Sequence, residues 1–190
     1  AFALASTKVL DEYNEAKALG IQTRPVLLGP VTYLLLGKAR HGAFDTLTLL
    51  PRLLLVYADV LARLAQAGAE WVQIDEPALV LDLPGEARAA FVRAYDYLVR
   101  TVPSLRIMRA TYFGALEDNL TTVAELPVHG LHVDLVRAPQ QISAVLQQVR
   151  PDLILSLGVI DGRNVWRSDL SRILDHLEPI YQARGQIVLA

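Results

Sequence analysis

The sequence predicts an α/β fold with parallel strands, namely a (β/α)8 barrel (TIM barrel) that is incomplete in this chain and comprises about six β/α units. Short apolar runs alternate with longer amphipathic runs along the 190 residues, as strands and helices do in βαβ units. The strand-like runs are apolar almost throughout, which is typical of parallel sheets covered on both faces. Glycine, proline or polar residues follow several of these runs, where βα loops build the active face of a barrel.

Short apolar runs bounded by turn residues predict the strands, and each of them except the last is followed by a helical pattern. The predicted strands cover residues 25–29, 70–75, 105–111, 130–135, 153–158 and 186–189. A helix between two strands carries the chain back across the sheet, so that the second strand runs parallel to the first. All of these strands are therefore expected to run parallel in one sheet.

Capping residues and apolar spacing predict the helices. Ser6 is a candidate cap for a first helix that ends at Gly20. A long helix follows Asp45, with Thr48 as a candidate cap and Pro51 in the first turn, where its missing N–H costs little. The remaining helices are predicted over residues 84–99, 120–126, 142–149 and 166–183.

The residues at the strand ends favour a barrel over a doubly wound sheet. Neither of the glycine-rich nucleotide-binding fingerprints is present. Polar or special residues follow several strands, whereas a doubly wound sheet places its ligand near a single switch point. A full barrel needs eight strands and typically about 250 residues, so about two strands are missing and the chain is expected to be an excised segment. Residues 1–190 are therefore predicted to be a single domain that is part of one barrel.

Composition excludes several classes of protein. Hydrophobic residues make up 53% of the chain and charged residues 20%, which is globular rather than disordered. The formal net charge of −2 provides no basic surface for nucleic acid. The absence of cysteine excludes disulfides and thiolate metal sites and is compatible with a cytoplasmic location. The apolar runs are far shorter than the roughly 20 residues of a membrane span, and no signal peptide is evident.

Two adjacent carboxylates, Asp75 and Glu76, lie at the end of an apolar strand. Neighbours in a strand point to opposite sides, so only one of them can easily face a central pocket. One interpretation is a carboxylate that binds a cationic group such as the ammonium of an amino acid. The alternative is an aspartate that fixes a turn and a glutamate on the surface.

His132 and Asp134 are two residues apart on one predicted strand and therefore share a face. With Asp75 they are candidates for a polar cluster in the barrel mouth, where a metal site is conceivable. The alternative is a buried histidine that is hydrogen-bonded to a carboxylate. Arg163 and Asn164 follow the next strand in the run DGRNVW, where they either recognise an anion or form a tight loop with Asn164 as a helix cap.

For the segment GPVTYLLLGK, residues 29–38, one interpretation is that Thr32 is a cap or a ligand contact, and the alternative, which we adopt, is a structural turn with a packed Tyr33. Lys38 and Arg40 are expected to be solvated. Ser156 lacks the sequence context of a nucleophile elbow, so serine catalysis is not expected. For two further residues the sequence leaves open whether they lie inside the barrel or on its surface: Arg106 and Arg109.

Four blocks resemble cobalamin-independent methionine synthases in order and spacing. They are RPVLLGPVTYLLLGKAR (24–40), WVQIDEPALVL (71–81), LPVHGLHVDLV (126–136) and LILSLGVIDGRNVWRSDL (153–170). Enzymes of this family transfer a methyl group from polyglutamylated methyltetrahydrofolate to homocysteine, and they consist of two facing (β/α)8 barrels. The resemblance implies a segment of the amino-terminal barrel, from about its third strand to its eighth.

The resemblance also implies which functional parts lie elsewhere. The family holds its zinc through Cys, His and Glu of the carboxyl-terminal barrel, and this chain has no cysteine. Homocysteine is bound mainly by that other barrel, the known folate-tail contacts precede this segment, and no cobalamin is used. No catalytic residue and no metal ligand are therefore expected here. Asp75 and Glu76 match the family's IDEPAL motif and would be structural equivalents of a substrate-binding carboxylate.

Two alternatives remain open at this point. One is a stand-alone barrel lyase or decarboxylase that uses Asp75, His132 and Asp134. The other is a non-catalytic binding module, which would expose apolar surface where barrel strands are missing and would self-associate.

Overall fold

A computed structural model describes residues 2–38 and 44–190, and within these ranges it contains one sheet of six parallel strands in the order β1-β2-β3-β4-β5-β6. The strands are β1 Val26–Leu28, β2 Trp71–Asp75, β3 Arg106–Ala110, β4 Gly130–Asp134, β5 Ile154–Gly158 and β6 Ile187–Leu189. The helices are α1 Lys8–Ala18, α2 Pro30–Leu36, α3 Leu50–Gln66, α4 Gly85–Thr101, α5 Leu120–Glu125, α6 Ile142–Gln148 and α7 Leu170–Arg184. The predicted α/β fold with parallel strands is confirmed.

Each strand alternates between two faces, and the core lies on only one of them. In β2, Val72 and Ile74 are fully buried against the helices, whereas Gln73 and Asp75 are half-buried on the opposite face. The helical side of the core is filled by apolar side chains that include Leu61, Leu64, Phe91, Ala94, Leu98 and Val123. The helices thus cover the outer face of a curved sheet, as in a barrel wall.

Over the described residues the sheet is not closed, so β1 and β6 are both edge strands. Four apolar side chains of these two edge strands are exposed: Val26 and Leu28 in β1, and Val188 and Leu189 in β6. The register brings the carboxyl ends of neighbouring strands together, with Asp75 opposite Ala110, Ala110 opposite His132 and Asp134 opposite Gly158. This row of strand ends is called the mouth below.

The segment that follows β1 is a helix, so the prediction of a structural turn with a packed Tyr33 was wrong. Pro30 opens α2, because a helix loses little from the missing N–H in its first turn. Val31 and Leu34 point into the core, and Tyr33 is 49% exposed on the other side of the helix. Thr32 is the polar residue that is buried. Lys38 is exposed, and Arg40 lies outside the described residues.

The predicted starts of α1 and α3 are only partly confirmed. Ser6 is not the N-cap of α1, because Thr7 occupies that position, although the hydroxyl of Ser6 accepts the N–H of Lys8, the first residue of the helix. Thr48 does not cap α3, because a short 3-10 helix over Thr46–Leu49 precedes α3 and Asp45 caps that helix by accepting the N–H of Leu47. Pro51 lies in the first turn of α3, as predicted.

The last helix begins later than predicted. Trp166 is 80% exposed and lies before α7, which Asp169 caps by accepting the N–H of Arg172. The carboxamide oxygen of Asn164 accepts the N–H of Trp166 within the loop, so Asn164 is not the helix cap. Asp169 has the same capping chemistry as Asn164, and only the tertiary position of the chain decides between them.

Candidate functional site

Asp75 ends β2 on the inner face of the sheet, where two side chains fix its carboxylate. The amide nitrogen of Gln73 donates to Oδ1 at 2.8 Å, and the hydroxyl of Tyr112 donates to Oδ2 at 3.1 Å. Burial raises the pKa of Tyr112 to about 12, with the charge and hydrogen bond of Asp75 adding to the effect, so this hydroxyl keeps its proton. A half-buried carboxylate with two neutral donors keeps lone pairs for a cationic group.

Glu76 lies on the opposite side of the sheet, which confirms that only one of the two neighbours can face the pocket. Its side chain is fully buried beneath the helices, so the interpretation of Glu76 as a surface residue was wrong. Oε2 accepts the N–H of Thr32 at 2.8 Å, and Oε1 accepts the hydroxyl of Tyr95 at 3.2 Å. Burial raises the pKa of Glu76 to about 7, against the hydrogen bonds from Thr32, Tyr95 and Val31.

His132 lies on the inner face of β4 next to Ser156 of β5. Its Nδ1 is 2.9 Å from the hydroxyl oxygen of Ser156, so its hydrogen-bond partner is a hydroxyl and not the carboxylate that the alternative interpretation named. Burial lowers the pKa of His132, although the charges of Asp134 and Asp75 oppose this change. The imidazole is therefore neutral at pH 7 and provides a polar wall of the mouth.

Gly158 makes room for this imidazole. A side-chain carbon at Gly158 would lie 3.0 Å from Cε1 and Nε2 of His132 and 3.1 Å from the carbonyl oxygen of Val133. The carboxyl end of β5 is therefore a point of close approach between β4 and β5.

Asp134 holds two loops together with one carboxylate. Its Oδ1 accepts the N–H groups of Val136 at 3.0 Å and Arg137 at 2.9 Å, and its Oδ2 accepts the N–H of Phe113 at 2.9 Å. Phe113 has φ of 82°, which is rare for a residue with a side chain. The carboxylate of Asp134 therefore maintains the loop after β3 in a strained conformation.

Aromatic and cationic side chains border the mouth beside this loop. The rings of Tyr112 and Phe113 meet edge to face with centroids 4.6 Å apart, and the Arg163 guanidinium lies 4.6 Å from the centroid of Phe113. A cleft of about 330 Å³ includes Arg163, Tyr112, Phe113, His132 and Asp134 among its lining residues. Asn164 is exposed and serves its own loop, so the structure does not bring it to this cleft.

Sequence reasoning missed Gln73, Phe113 and Ser156 as parts of the mouth, and it marked Tyr112 only as a residue at the end of a strand. Gln73 carried a usable signal, because it is two residues before Asp75 on the same strand face. Ser156 is paired with His132 only by the register of two strands that are distant in sequence. No local pattern marks the positive φ of Phe113.

The two arginines of β3 are also assigned by the structure. Arg106 is exposed on the inner face, with its guanidinium carbon 5.6 Å from the ring centroid of Trp71. Arg109 lies neither inside the barrel nor on its surface, because it is fully buried on the helical side. Its Nη2 donates to the carbonyl of Val123 at 3.1 Å, and burial lowers its pKa to about 10 against the charges of Tyr95 and Glu76.

Other features of the described residues do not compete with the mouth. A cleft of about 430 Å³ lies on the outer wall between α3 and α4, away from the strand ends where barrels bind ligands. Within residues 2–38 and 44–190, no group of three or more His, Cys, Asp or Glu side chains is placed to hold a metal ion. None of the helices in these ranges combines the length and the apolar character that crossing a membrane requires.

Replacing Asp134 by alanine removes three backbone hydrogen bonds and is expected to lower the free energy of unfolding by about 2 kcal/mol. Asp134→Asn retains one carboxamide oxygen for Val136 and Arg137 and should lose about half as much. Urea denaturation monitored by circular dichroism measures both values. Asp161→Ala, which removes the acceptor of one exposed N–H, is the control and should have a smaller effect. Equal losses for Asp134→Ala and Asp161→Ala would contradict the clamp role of Asp134.

Comparisons with known proteins identify the family of this chain. Residues 1–185 match the family described as the N-terminal domain of cobalamin-independent synthase. A 5-methyltetrahydropteroyltriglutamate–homocysteine methyltransferase of Rhodopseudomonas palustris is 61% identical over 184 residues, which cover 97% of this chain and 23% of that protein. The protein of the same name from Caulobacter vibrioides is 57% identical over 192 residues, covering 100% of this chain and 25% of the relative. The chain thus spans about a quarter of the length of these relatives.

Solved structures support the fold. A B12-independent methionine synthase from a Shewanella species superposes with a TM-score of 0.76 at 13% identity, covering 100% of this chain and 60% of the other. A chitinase from Pseudoalteromonas aurantia superposes with a TM-score of 0.58 at 15% identity, covering 97% of this chain and 75% of the other. At such identities the likeness concerns the fold alone. Together with the match over residues 1–185, however, the relatives confirm the family expected from the four sequence blocks: the chain belongs to the cobalamin-independent synthase N-terminal domain family.

Proposed function

We propose that this chain is part of the amino-terminal barrel of a two-barrel methyltransferase, which transfers a methyl group from 5-methyltetrahydrofolate polyglutamate to homocysteine and forms methionine. The observation that carries the proposal is the 61% identity over 97% of the chain to a relative named for this reaction. Because the chain spans 23% of that relative, the remainder of the intact protein would supply the rest of the active site.

The chain's role in this reaction is that of a scaffold and a substrate-side wall. A thiol needs deprotonation to become a good nucleophile, and zinc in the other barrel would stabilise the thiolate. The described residues of this chain do not fit a zinc site, because they include no cysteine and no cluster of three metal-binding side chains. We therefore propose that the metal and the catalytic groups lie in the carboxyl-terminal barrel, in a reaction that is independent of cobalamin, as the family description states.

Asp75 is the residue of this chain that is best placed to contact substrate. Its carboxylate lies on the mouth side of the sheet, with Gln73 and Tyr112 holding its two oxygens in a fixed direction. A carboxylate so oriented binds an ammonium group, which both the amino acid substrate and its product carry. His132 would add a neutral hydrogen-bonding wall, and Arg163 would attract an anionic part of a substrate.

The other two hypotheses are less well supported. A lyase or decarboxylase that uses Asp75, His132 and Asp134 would need Asp134 free, yet three backbone N–H groups occupy its carboxylate. A non-catalytic binding module does not account for about 60% identity to relatives that are named as methyltransferases. A cytoplasmic location stays a prediction from the family and the absence of cysteine.

The proposal predicts that the 190-residue chain has no measurable homocysteine methylation, even with zinc supplied, whereas the intact protein that carries this segment forms methionine. Production of methionine from methyltetrahydrofolate triglutamate is the measurement, with both proteins assayed at equal concentration. Adding the carboxyl-terminal barrel as a separate chain tests whether the missing groups reside there. Zinc-dependent turnover by this chain alone would overturn the proposal that the metal and the catalytic groups lie in the other barrel. An inactive intact protein would overturn the proposed reaction.

A further inference from the structure

Glu76 is a buried ionisable group that the proposed reaction does not use. Its carboxylate is fully buried between the sheet and the helices, directly behind Asp75. It accepts the N–H of Thr32 in the first turn of α2 and the hydroxyl of Tyr95 in α4. Three elements that are distant in sequence, β2, α2 and α4, are therefore joined at this one side chain.

The backbone around Asp75 is tied to the same point. The N–H of Gly29 donates to the carbonyl of Asp75 at 2.7 Å, and the N–H of Glu76 donates to the carbonyl of Ala110 at 2.8 Å. Thr32 also accepts the N–H of Ala78 at 3.2 Å through its hydroxyl. The peptide that links Asp75 to Glu76 is thus held at both its carbonyl and its N–H, and Gly29, which holds the carbonyl, also lies against the Glu76 carboxyl group.

Gly29 shows how closely the structure is built around this carboxylate. A side-chain carbon at Gly29 would overlap the carboxyl group of Glu76, so the backbone of the loop after β1 lies against the glutamate. Only glycine permits this approach, because it has no Cβ. The loop after β1 and the hydroxyl of Tyr95 therefore both contact the carboxyl group of Glu76 and together define its position.

The charged and titratable groups that surround Glu76 come from every element packed on it. Beside the larger effect of burial, the charge of Glu76 raises the pKa of Tyr57 in α3 and of Tyr95 in α4, and it opposes the lowering of the pKa of Arg109 in β3. Helix α2 contributes backbone N–H groups that donate to the carboxylate. A buried charged network seldom stabilises a fold more than apolar side chains of the same volume would. The network around Glu76 instead defines the position of the end of β2, because its hydrogen bonds have fixed directions.

We propose that Glu76 is a positioning residue, which anchors α2 and α4 to the end of β2 and thereby holds Asp75 in the direction needed to contact substrate. The inference rests on the proposed function, because it takes Asp75 as the residue that meets the substrate. Glu76 itself acts through the backbone and makes no contact in the mouth.

A double-mutant cycle in the intact protein tests the positioning role. We expect Asp75→Asn to raise KM for one of the two substrates about tenfold, since it removes a charge-assisted contact. Glu76→Ala should raise KM for the same substrate about fivefold or more, because small displacements of an aligned group are costly. If Glu76 acts through Asp75, the double variant should be no worse than Asp75→Asn alone.

Conservative variants separate positioning from loss of folding. Glu76→Gln keeps an oxygen for the N–H of Thr32 and should restore KM to near the parental value. Tyr95→Phe removes only the hydroxyl that donates to Glu76, and it should raise the same KM about twofold to threefold without adding to Asp75→Asn. Glu86→Gln, on the exposed side of α4, is the control that should leave both KM values unchanged.

The outcomes distinguish the two proposals. If Asp75→Asn leaves both KM values unchanged, the substrate role of Asp75 is refuted and the positioning role with it. If Asp75→Asn raises a KM but the effect of Glu76→Ala or Tyr95→Phe is additive to it, or falls on the other substrate, only the positioning role is refuted. Should Glu76→Ala not fold, the cycle between Tyr95→Phe and Asp75→Asn decides the question by the same criterion.

Discussion

Replacing Gly29 by alanine is expected to lower the free energy of unfolding of the chain by about 3 kcal/mol or more. The new methyl group would overlap the carboxyl group of Glu76. That carboxyl group cannot move aside without losing its hydrogen bonds to Thr32 and Tyr95. Both overpacking and an unsatisfied buried carboxylate would therefore destabilise the folded state.

Urea denaturation of the parent and the Gly29→Ala variant measures this loss. Gly85→Ala is a matched control, because a side-chain carbon at Gly85 meets nothing within 4 Å and the residue begins α4. Alanine is the better helix former, so this control should be unchanged or more stable by up to about 1 kcal/mol. A Gly29→Ala variant as stable as Gly85→Ala would show that the Glu76 carboxylate is not held where we place it.

The contribution of Glu76 to the free energy of unfolding should fall as the pH rises from 4.5 to about 7. Burial raises the pKa of Glu76 from 4.5 to about 7, so the folded state binds its proton more tightly than the unfolded state. The stabilisation is complete below pH 4.5 and is lost as pH rises to about 7, because ionisation then favours unfolding. The loss amounts to roughly 3 kcal/mol.

Glu76→Gln isolates this contribution, since glutamine resembles the protonated acid at every pH. The difference in free energy of unfolding between the variant and the parent should be small below pH 4.5. Above pH 7 the variant should be the more stable protein by roughly 3 kcal/mol. Urea denaturation at several pH values gives both curves. A difference that stays constant across this range would contradict a buried carboxyl group that ionises near neutrality.

These two predictions bear on the positioning role of Glu76. A carboxylate that is ionised near pH 7 and costs stability there is a poor choice if packing were its only purpose. Sites that orient a functional group often retain residues that lower the stability of the fold, because a more stable substitute would orient that group less well. Glu76→Gln should therefore gain stability above pH 7 while retaining the hydrogen bond that aligns β2.

Local patterns predicted the elements that depend on local physics. The strands of this fold were predicted to within a few residues, because apolar runs between turn residues leave little alternative in a parallel sheet. The helix after β1 was missed, since Pro30 and the flanking glycines are also typical of turns. Asn164 was one candidate for the cap of α7, whereas the cap is Asp169, because both residue types can accept an N–H at a helix start.

Some features of the candidate site could likewise be predicted from the sequence, and others could not. Alternation along a strand predicted that Asp75 and Glu76 face opposite sides and that His132 and Asp134 share one. It did not reveal which carboxylate is buried, nor that Ser156 is the partner of His132. Those facts depend on which face the helices cover and on the register between strands.

The sequence by itself determined the parallel α/β architecture and the row of polar residues at the strand ends, because periodicity and local residue chemistry are written along the chain, and its resemblance to known members identified the family. Tertiary structure alone decided that Asp75 faces the mouth, that Glu76 and Arg109 are buried behind it, and that Asp134 serves the backbone. The physical reason is that burial, pKa and hydrogen-bond partners arise between segments far apart in sequence. Thr32 and Glu76, 44 residues apart, meet only when the sheet and its helices have assembled.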